Sequence, residues 1–143
     1  MQPFSVGPYR VTAVPANHDP TVEPLLYVIE KDGQTVFYGT DTAELFEDTW
    51  RVFHQQAIRL DLVILDHTYG PNASGSDHLS ARQFIDHIRR MREERLLNDN
   101  ARAFATHIAH EGNLAHPQLC DFAAQYGYHI AYDGLTLTIP DQE

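Results

Sequence analysis

The 143-residue chain has one cysteine, one tryptophan, two methionines and only ten lysines and arginines, and each scarcity closes off a class of protein. The lone thiol, Cys120, cannot form an internal disulfide, which excludes a disulfide-stapled scaffold and fits a reducing compartment. In "HPQLCDFAAQYG" that cysteine falls on an apolar helix face and reads as a buried, inert thiol. Ten basic residues against twenty acidic ones give a formal charge of −10, which repels phosphate backbones and disfavours nucleic acid as a partner. A bound divalent cation can nevertheless reverse the field locally. No apolar run approaches the roughly 20 residues of a membrane span, and "MQPFSVGPYR" lacks the parts of a secretion signal. The expectation is a cytoplasmic protein with no membrane partner.

The chain does have enough apolar residues, 43%, and enough length to bury a core without staples, and residues 1–143 read as one domain. Strand and helix signals alternate. "YRVTAV" (9–14) reads as a strand ended by Pro15. "LLYVIE" (25–30) and "TVFYG" (35–39) flank Asp32-Gly33, a strong two-residue hairpin signal. Residues 42–56 carry Leu45, Phe46, Trp50 and Phe53 at helical spacing, with Thr42 in a cap position. "LDLVILDHT" (60–68) is a nearly continuous apolar run, as in a strand covered on both faces. Ser80 and Gln83 have capping-box spacing ahead of a helix over 80–97, and "ARAFATHIA" (101–109) is a further strand. Pro117 and Gly127 bracket a last helix, and "HIAYDGLTLTI" (129–139) closes with strand character. The order βββαβαβαβ predicts an α/β domain with a mixed sheet.

Nine histidines are many for a chain of this size, and those near strand ends matter most. His18 follows the first strand, Asp41 the third, Asp66 and His67 end the fourth, and His107 ends the next. Loops at strand ends converge on a rigid scaffold, where layered α/β folds gather their chemistry. Zinc and manganese accept mixed imidazole and carboxylate ligands, and one carboxylate can bridge two ions that activate a hydroxide between them. Asp41 suits such a bridge, although Asp41 or Thr42 could equally cap the next helix. His18 is a metal ligand or a solvent-facing loop residue. His107 and His110 serve one site only if the chain turns between them. "HEGNLAH" is not the zinc-protease motif HExxH, because its second histidine comes two residues late. His78 is a proton donor or a bystander near a helix cap. His54, His87 and His129 read as structural or surface residues.

The segments "VTAVPANHD", "LLYVIEKDGQTVFYGTDTAEL", "DLVILDHTYG", "SDHLS" and "THIAHEGN…YDGLTL", in that order, resemble the C-terminal half of a metallo-β-lactamase-fold hydrolase. The resemblance is to the branch holding carbon–phosphorus-lyase-associated phosphodiesterases and the tRNA 3′-processing endonuclease. It implies half of an αββα sandwich, a mixed β-sheet with helices packed on one face. It also implies a metal-dependent hydrolase of a phosphodiester or another small-molecule substrate, with two zinc or manganese ions in the complete site. By position, His18, Asp41 and His107 resemble metal ligands, Asp41 as the bridge. His78 resembles the histidine that protonates the leaving group, with Asp41 beside it in the catalytic set. Asp66 resembles a residue that orients a ligand, and His110 a ligand support or substrate contact.

The chain departs from that family in one respect: the motif HxHxDH, which supplies most ligands of both metals, occurs nowhere in it. The expectation is a site with two protein ligands per ion, where catalytic zinc generally takes three. A sheet face left bare by half a sandwich should be covered by a second copy or another chain. The competing expectation is a non-catalytic half-domain or a truncated fragment that acts through protein association or dimerises to complete the sandwich.

Overall fold

The computed structural model describes residues 1–139, and its element order follows from the patterns above with one strand added. Strands β1 (Phe4–Val6), β2 (Tyr9–Pro15), β3 (Leu25–Lys31) and β4 (Gln34–Gly39) precede helix α1 (Glu47–Gln55). Then come β5 (Leu60–Asp66), α2 (Ala81–Glu93), β6 (Leu97–Thr106), α3 (His116–Gln125) and β7 (His129–Ile130). The seven strands form one sheet in sequential order. Pairs β1/β2, β2/β3 and β3/β4 are antiparallel, and β4/β5, β5/β6 and β6/β7 are parallel. Asp32 and Gly33 both take positive φ, 50° and 79°, as a two-residue type I′ hairpin requires.

Register separates the two sheet faces. Val14, Leu26, Val28, Phe37, Val63, Leu65, Ala103, Ala105 and Ile130 share one face and join a single core. All three helices add to that core, through Trp50 and Phe53, Phe84 and Met91, and Leu119 and Ala123. The helices therefore lie on one side. The other face is also apolar: Phe4, Val11, Ala13, Tyr27, Ile29, Val36, Tyr38 and Ile64 alternate with the core residues. Among the described residues no helix covers it, and Phe4 and Tyr38 stay 48% and 43% exposed. Hydrogen bonds from Arg102 to the Thr138 carbonyl and from Gln34 to the Ile139 carbonyl tie the chain's last described residues to the sheet.

Four boundaries differ from the sequence expectation. Helix α1 starts at Glu47, and Thr42 is not its cap, because tertiary bonds consume the polar groups of residues 42–45. Helix α2 stops at Glu93 because Arg95 adopts φ 57°, closing the helix with Leu96 N–H to Met91 O and Arg95 N–H to Arg92 O. Ala57 (φ 50°) ends α1 and Gly127 (φ 73°) ends α3 by the same pair of bonds. Only the glycine carries a visible signal; alanine and arginine rarely take the left-handed region. Strand β6 accordingly begins at Leu97, four residues earlier than expected. The final strand is two residues long, and 131–139 is irregular.

Two buried histidines make the fold acid-sensitive. Burial pushes His67 down to about 4, with its Nε2 2.9 Å from the Tyr128 hydroxyl, and burial also lowers His87. Below the ordinary histidine value near 6.5 the unfolded chain takes the proton first, so stability is fully present above that pH. It falls as the pH drops toward 4, by up to about 3 kcal/mol for His67. Urea denaturation at pH 7 and pH 4.5 should show this loss, and His67→Met should flatten the dependence.

Candidate metal centre

Strand direction brings the site together. β2 and β4 each run antiparallel to β3, and β4, β5 and β6 are parallel, so β2, β4, β5 and β6 all end at one sheet edge. His18 lies three residues beyond β2, Asp41 two beyond β4, Asp66 at the end of β5 and His107 directly after β6. His78 arrives from the loop before α2. At that edge His18 Nε2, His107 Nε2 and His78 Nδ1 lie 3.4, 3.6 and 3.7 Å from one oxygen of Asp41. The three imidazoles form a row, with ring centroids 4.8 Å apart for His18–His78 and 5.0 Å for the stacked His78–His107 pair.

Asp66 organises this edge from below. It is fully buried, and its two oxygens accept from the backbone N–H groups of Thr42, Thr68 and Leu79 and from the Thr68 hydroxyl. His78 Nδ1 is a further 2.9 Å neighbour. A carboxylate offers about four lone-pair sites, and these donors use them. Asp66 therefore orients neighbours and has no free lone pair for an ion, although it lies close enough to the cluster to be counted with it. A buried carboxylate is costly unless paired in this way.

The hydrogen bonds also set the tautomers. His18 Nδ1 is 3.1 Å from the Asp77 carbonyl, which only accepts, so Nδ1 carries the proton and the Nε2 lone pair faces Asp41. The Thr68 hydroxyl donates to Asp66 and accepts from His107 Nδ1 at 2.7 Å, leaving His107 Nε2 unprotonated toward Asp41. Such orientation by an outer partner is typical of metal-bound histidine. The donor set then fits a divalent ion. Ligands at about 2.0–2.2 Å in a tetrahedral arrangement stand about 3.3–3.6 Å apart. The His18–Asp41 and His107–Asp41 separations of 3.4 and 3.6 Å match that spacing and are too long for N–H···O bonds. Asp41 and His107 both take left-handed backbone, φ 61° and 57°, which turns their side chains into the cluster and stores local strain.

The sequence-derived candidates divide cleanly. His18, Asp41, His78, His107 and Asp66 converge. His110 is exposed and makes none of the contacts within the cluster, because the chain turns at His107 and again at Gly112 (φ 74°). His87 is a buried structural residue that accepts the Leu45 N–H, His54 pairs with Glu94, and His129 stacks on Phe104. The sequence reading overlooked Thr68, the Asp77 carbonyl and Asn113, whose side-chain amide donates to the carbonyls of Thr68 and Ala109 and ties two site loops together. Loop residues and a backbone carbonyl leave no periodic trace.

The comparisons agree with this architecture. The family model described as "Beta-lactamase superfamily domain" matches residues 1–108. Among solved structures, the chain is similar to the metallo-β-lactamase fold protein YhfI from Bacillus subtilis, at 21% identity and TM-score 0.63 over 94% of this chain and 51% of that one. It is similar to a diphosphatase from the PhnP family at 20% identity and TM-score 0.67, over 97% of this chain and 47% of that one. It is also similar to Zn(2+)-bound PqqB from Methylobacterium extorquens, at 18% identity and TM-score 0.58 over 96% and 53%. The chain thus spans about half the length of the structures it matches. No curated protein matches it. The family match over most of the chain, the mixed sheet and the histidine–aspartate edge lead to one conclusion: the chain belongs to the beta-lactamase superfamily and has the metallo-β-lactamase fold.

Proposed function

We propose that this chain contributes a divalent-metal centre to the hydrolysis of a phosphodiester, with His18, Asp41 and His107 as ligands and His78 as proton donor. The observation that carries the proposal is the gathering of histidine nitrogens around one Asp41 oxygen at ligand-to-ligand spacing. Charge argues the same way. The loops that build the site hold no lysine or arginine, since residues 11–30, 32–50, 60–81 and 103–143 lack both. Asp41, Asp66 and Asp77 therefore share this edge with imidazoles alone, and a metal ion is the cation that balances them. Zinc and manganese both suit these ligands.

When bound, such an ion lowers the pKa of a coordinated water and so supplies a nucleophile at neutral pH. The protein's own residues do the rest. Asp41 is the shared carboxylate at the centre. His78 Nδ1 donates a hydrogen bond to Asp66, which fixes the ring with Nε2 turned away from Asp66. When the ring carries a proton on both nitrogens, Nε2 can pass one to a departing alkoxide and return to the neutral imidazole. Tyr69, whose hydroxyl donates to the Asp77 carboxylate at 2.6 Å, packs edge-on to His78 and walls the site. The test is hydrolysis of bis(p-nitrophenyl) phosphate with added Mn²⁺ or Zn²⁺. Turnover that needs metal and disappears in His18→Ala is expected; metal-independent turnover, or an unaffected variant, would refute the proposal.

A second reading rests on a different observation, the apolar sheet face that no helix covers among the described residues. Monomers rarely expose a contiguous apolar surface of more than a few hundred Å². Sheets stack face to face about 10 Å apart, so a second β-layer is the natural cover. We propose that this layer comes from a second copy or another chain, and that association accompanies catalysis or replaces it. Light scattering on the purified 16.3 kDa chain should give at least a dimer mass, and Tyr38→Lys should shift it toward monomer. A monodisperse monomer would count against a self-made layer.

A further inference from the structure

His18 and Asp41 follow strands that are not neighbours, since β3 lies between β2 and β4. Something must hold the two loops together across the end of β3. The contact is local and dense. The Asn17 N–H donates to Thr42 Oγ1 at 3.0 Å, the Ala43 N–H donates to the Asn17 carbonyl at 2.7 Å, and Asn17 Nδ2 donates to the Glu44 carbonyl at 2.9 Å. Thr42 is fully buried, and its own N–H donates to Asp66 Oδ2 at 3.1 Å. One residue thus touches three strand-end segments: that of His18 through its hydroxyl, that of Asp66 through its amide, and its own, directly beside Asp41. Asp41 is held at φ 61°, a backbone that relaxes unless its surroundings over-determine it. Thr42 follows immediately.

We infer that Thr42, clamped to Asn17, is a positioning residue that fixes His18 against Asp41. The inference rests on the metal-centre reading above and goes beyond it, because neither residue is among the proposed ligands. Outer residues that orient metal ligands typically change affinity 10- to 100-fold when altered.

The experiment titrates Mn²⁺ into the metal-free chain and follows amide hydrogen exchange in the same samples. Thr42→Val keeps the shape and removes the hydroxyl; it should weaken Mn²⁺ binding about 10- to 100-fold. Thr42→Ser keeps the hydroxyl and should stay within about threefold of wild type, as should Ile88→Val, a control for lost packing at a buried core position of α2. Thr42→Ala, which removes the same hydroxyl at the cost of one methyl, should also weaken binding about 10- to 100-fold and carries the test if Thr42→Val does not fold. In the metal-free protein, Thr42→Val should deprotect the Asn17 amide while the amides of Val63 and Phe84 stay protected. Binding by Thr42→Val within threefold of wild type would overturn the inference, as would equal losses in Thr42→Ser. A wild-type chain that takes no Mn²⁺ would defeat the metal-centre reading instead. The exchange arm then decides the clamp alone, and an Asn17 amide still protected in Thr42→Val would overturn it.

Discussion

Asp41→Asn should weaken binding of Mn²⁺ or Zn²⁺ by on the order of 10²- to 10³-fold with little change in stability. The size follows from dividing the roughly 10–16 kcal/mol of a four-ligand zinc site among its ligands. Asparagine is the informative replacement because it keeps the volume and tolerates the left-handed backbone at φ 61°, so what is lost is the anionic oxygen. Half-exposed, Asp41 contributes little to the core, and thermal unfolding should move by no more than a few degrees. Asp66 behaves in the opposite way. It is fully buried beneath several donors, so Asp66→Ala should destabilise the fold by about 3–5 kcal/mol before any question of metal arises. The contrast between two aspartates about one residue's reach apart separates a ligand from a support. Isothermal titration beside chemical denaturation reads both; equal metal affinity in Asp41→Asn and wild type would remove Asp41 from the centre.

His78→Ala should lower turnover by about 10²- to 10⁴-fold on phosphodiesters with alkoxide leaving groups, while metal affinity changes far less. The argument lies in what the leaving group needs. An alkoxide departs only with a proton, whereas p-nitrophenolate is stable without one, so the same variant should lose little on bis(p-nitrophenyl) phosphate. His78 suits this role because Asp66, 2.9 Å from its Nδ1, holds the ring beside the His18 and His107 rings. Rates on a methyl ester and a p-nitrophenyl ester, compared for His78→Ala and wild type, give the answer. Equal losses on both substrates would make His78 a structural member of the row and not a proton donor.

The sheet was legible because strand signals are local. The run "LVIL" inside "LDLVILD" is wholly apolar and lies in the interior of the sheet, and Asp32-Gly33 can hardly be anything but a tight hairpin turn. The helix ends were hidden where ordinary residues, Ala57 and Arg95, take a glycine's conformation under tertiary pressure from Ile58 and Leu96 entering the core. Strand β1 escaped notice because "FSV" is three exposed edge residues whose pairing with β2 alone makes them a strand. In the site, His18, Asp41, Asp66, His78 and His107 could be named from strand ends and family resemblance. Their supports could not: Thr42 looked like a helix cap, and only the folded chain turns its hydroxyl to Asn17 and its amide to Asp66. His110, past the left-handed residue at His107, is exposed and outside the contacts of the cluster.

The most direct measurement is anomalous diffraction from a crystal of this chain grown with zinc. The account predicts zinc held by an Asp41 oxygen together with His18 Nε2 or His107 Nε2, each at about 2.0–2.2 Å. Zinc bound at other residues, with that edge left without anomalous density at full ligand concentration, would contradict it.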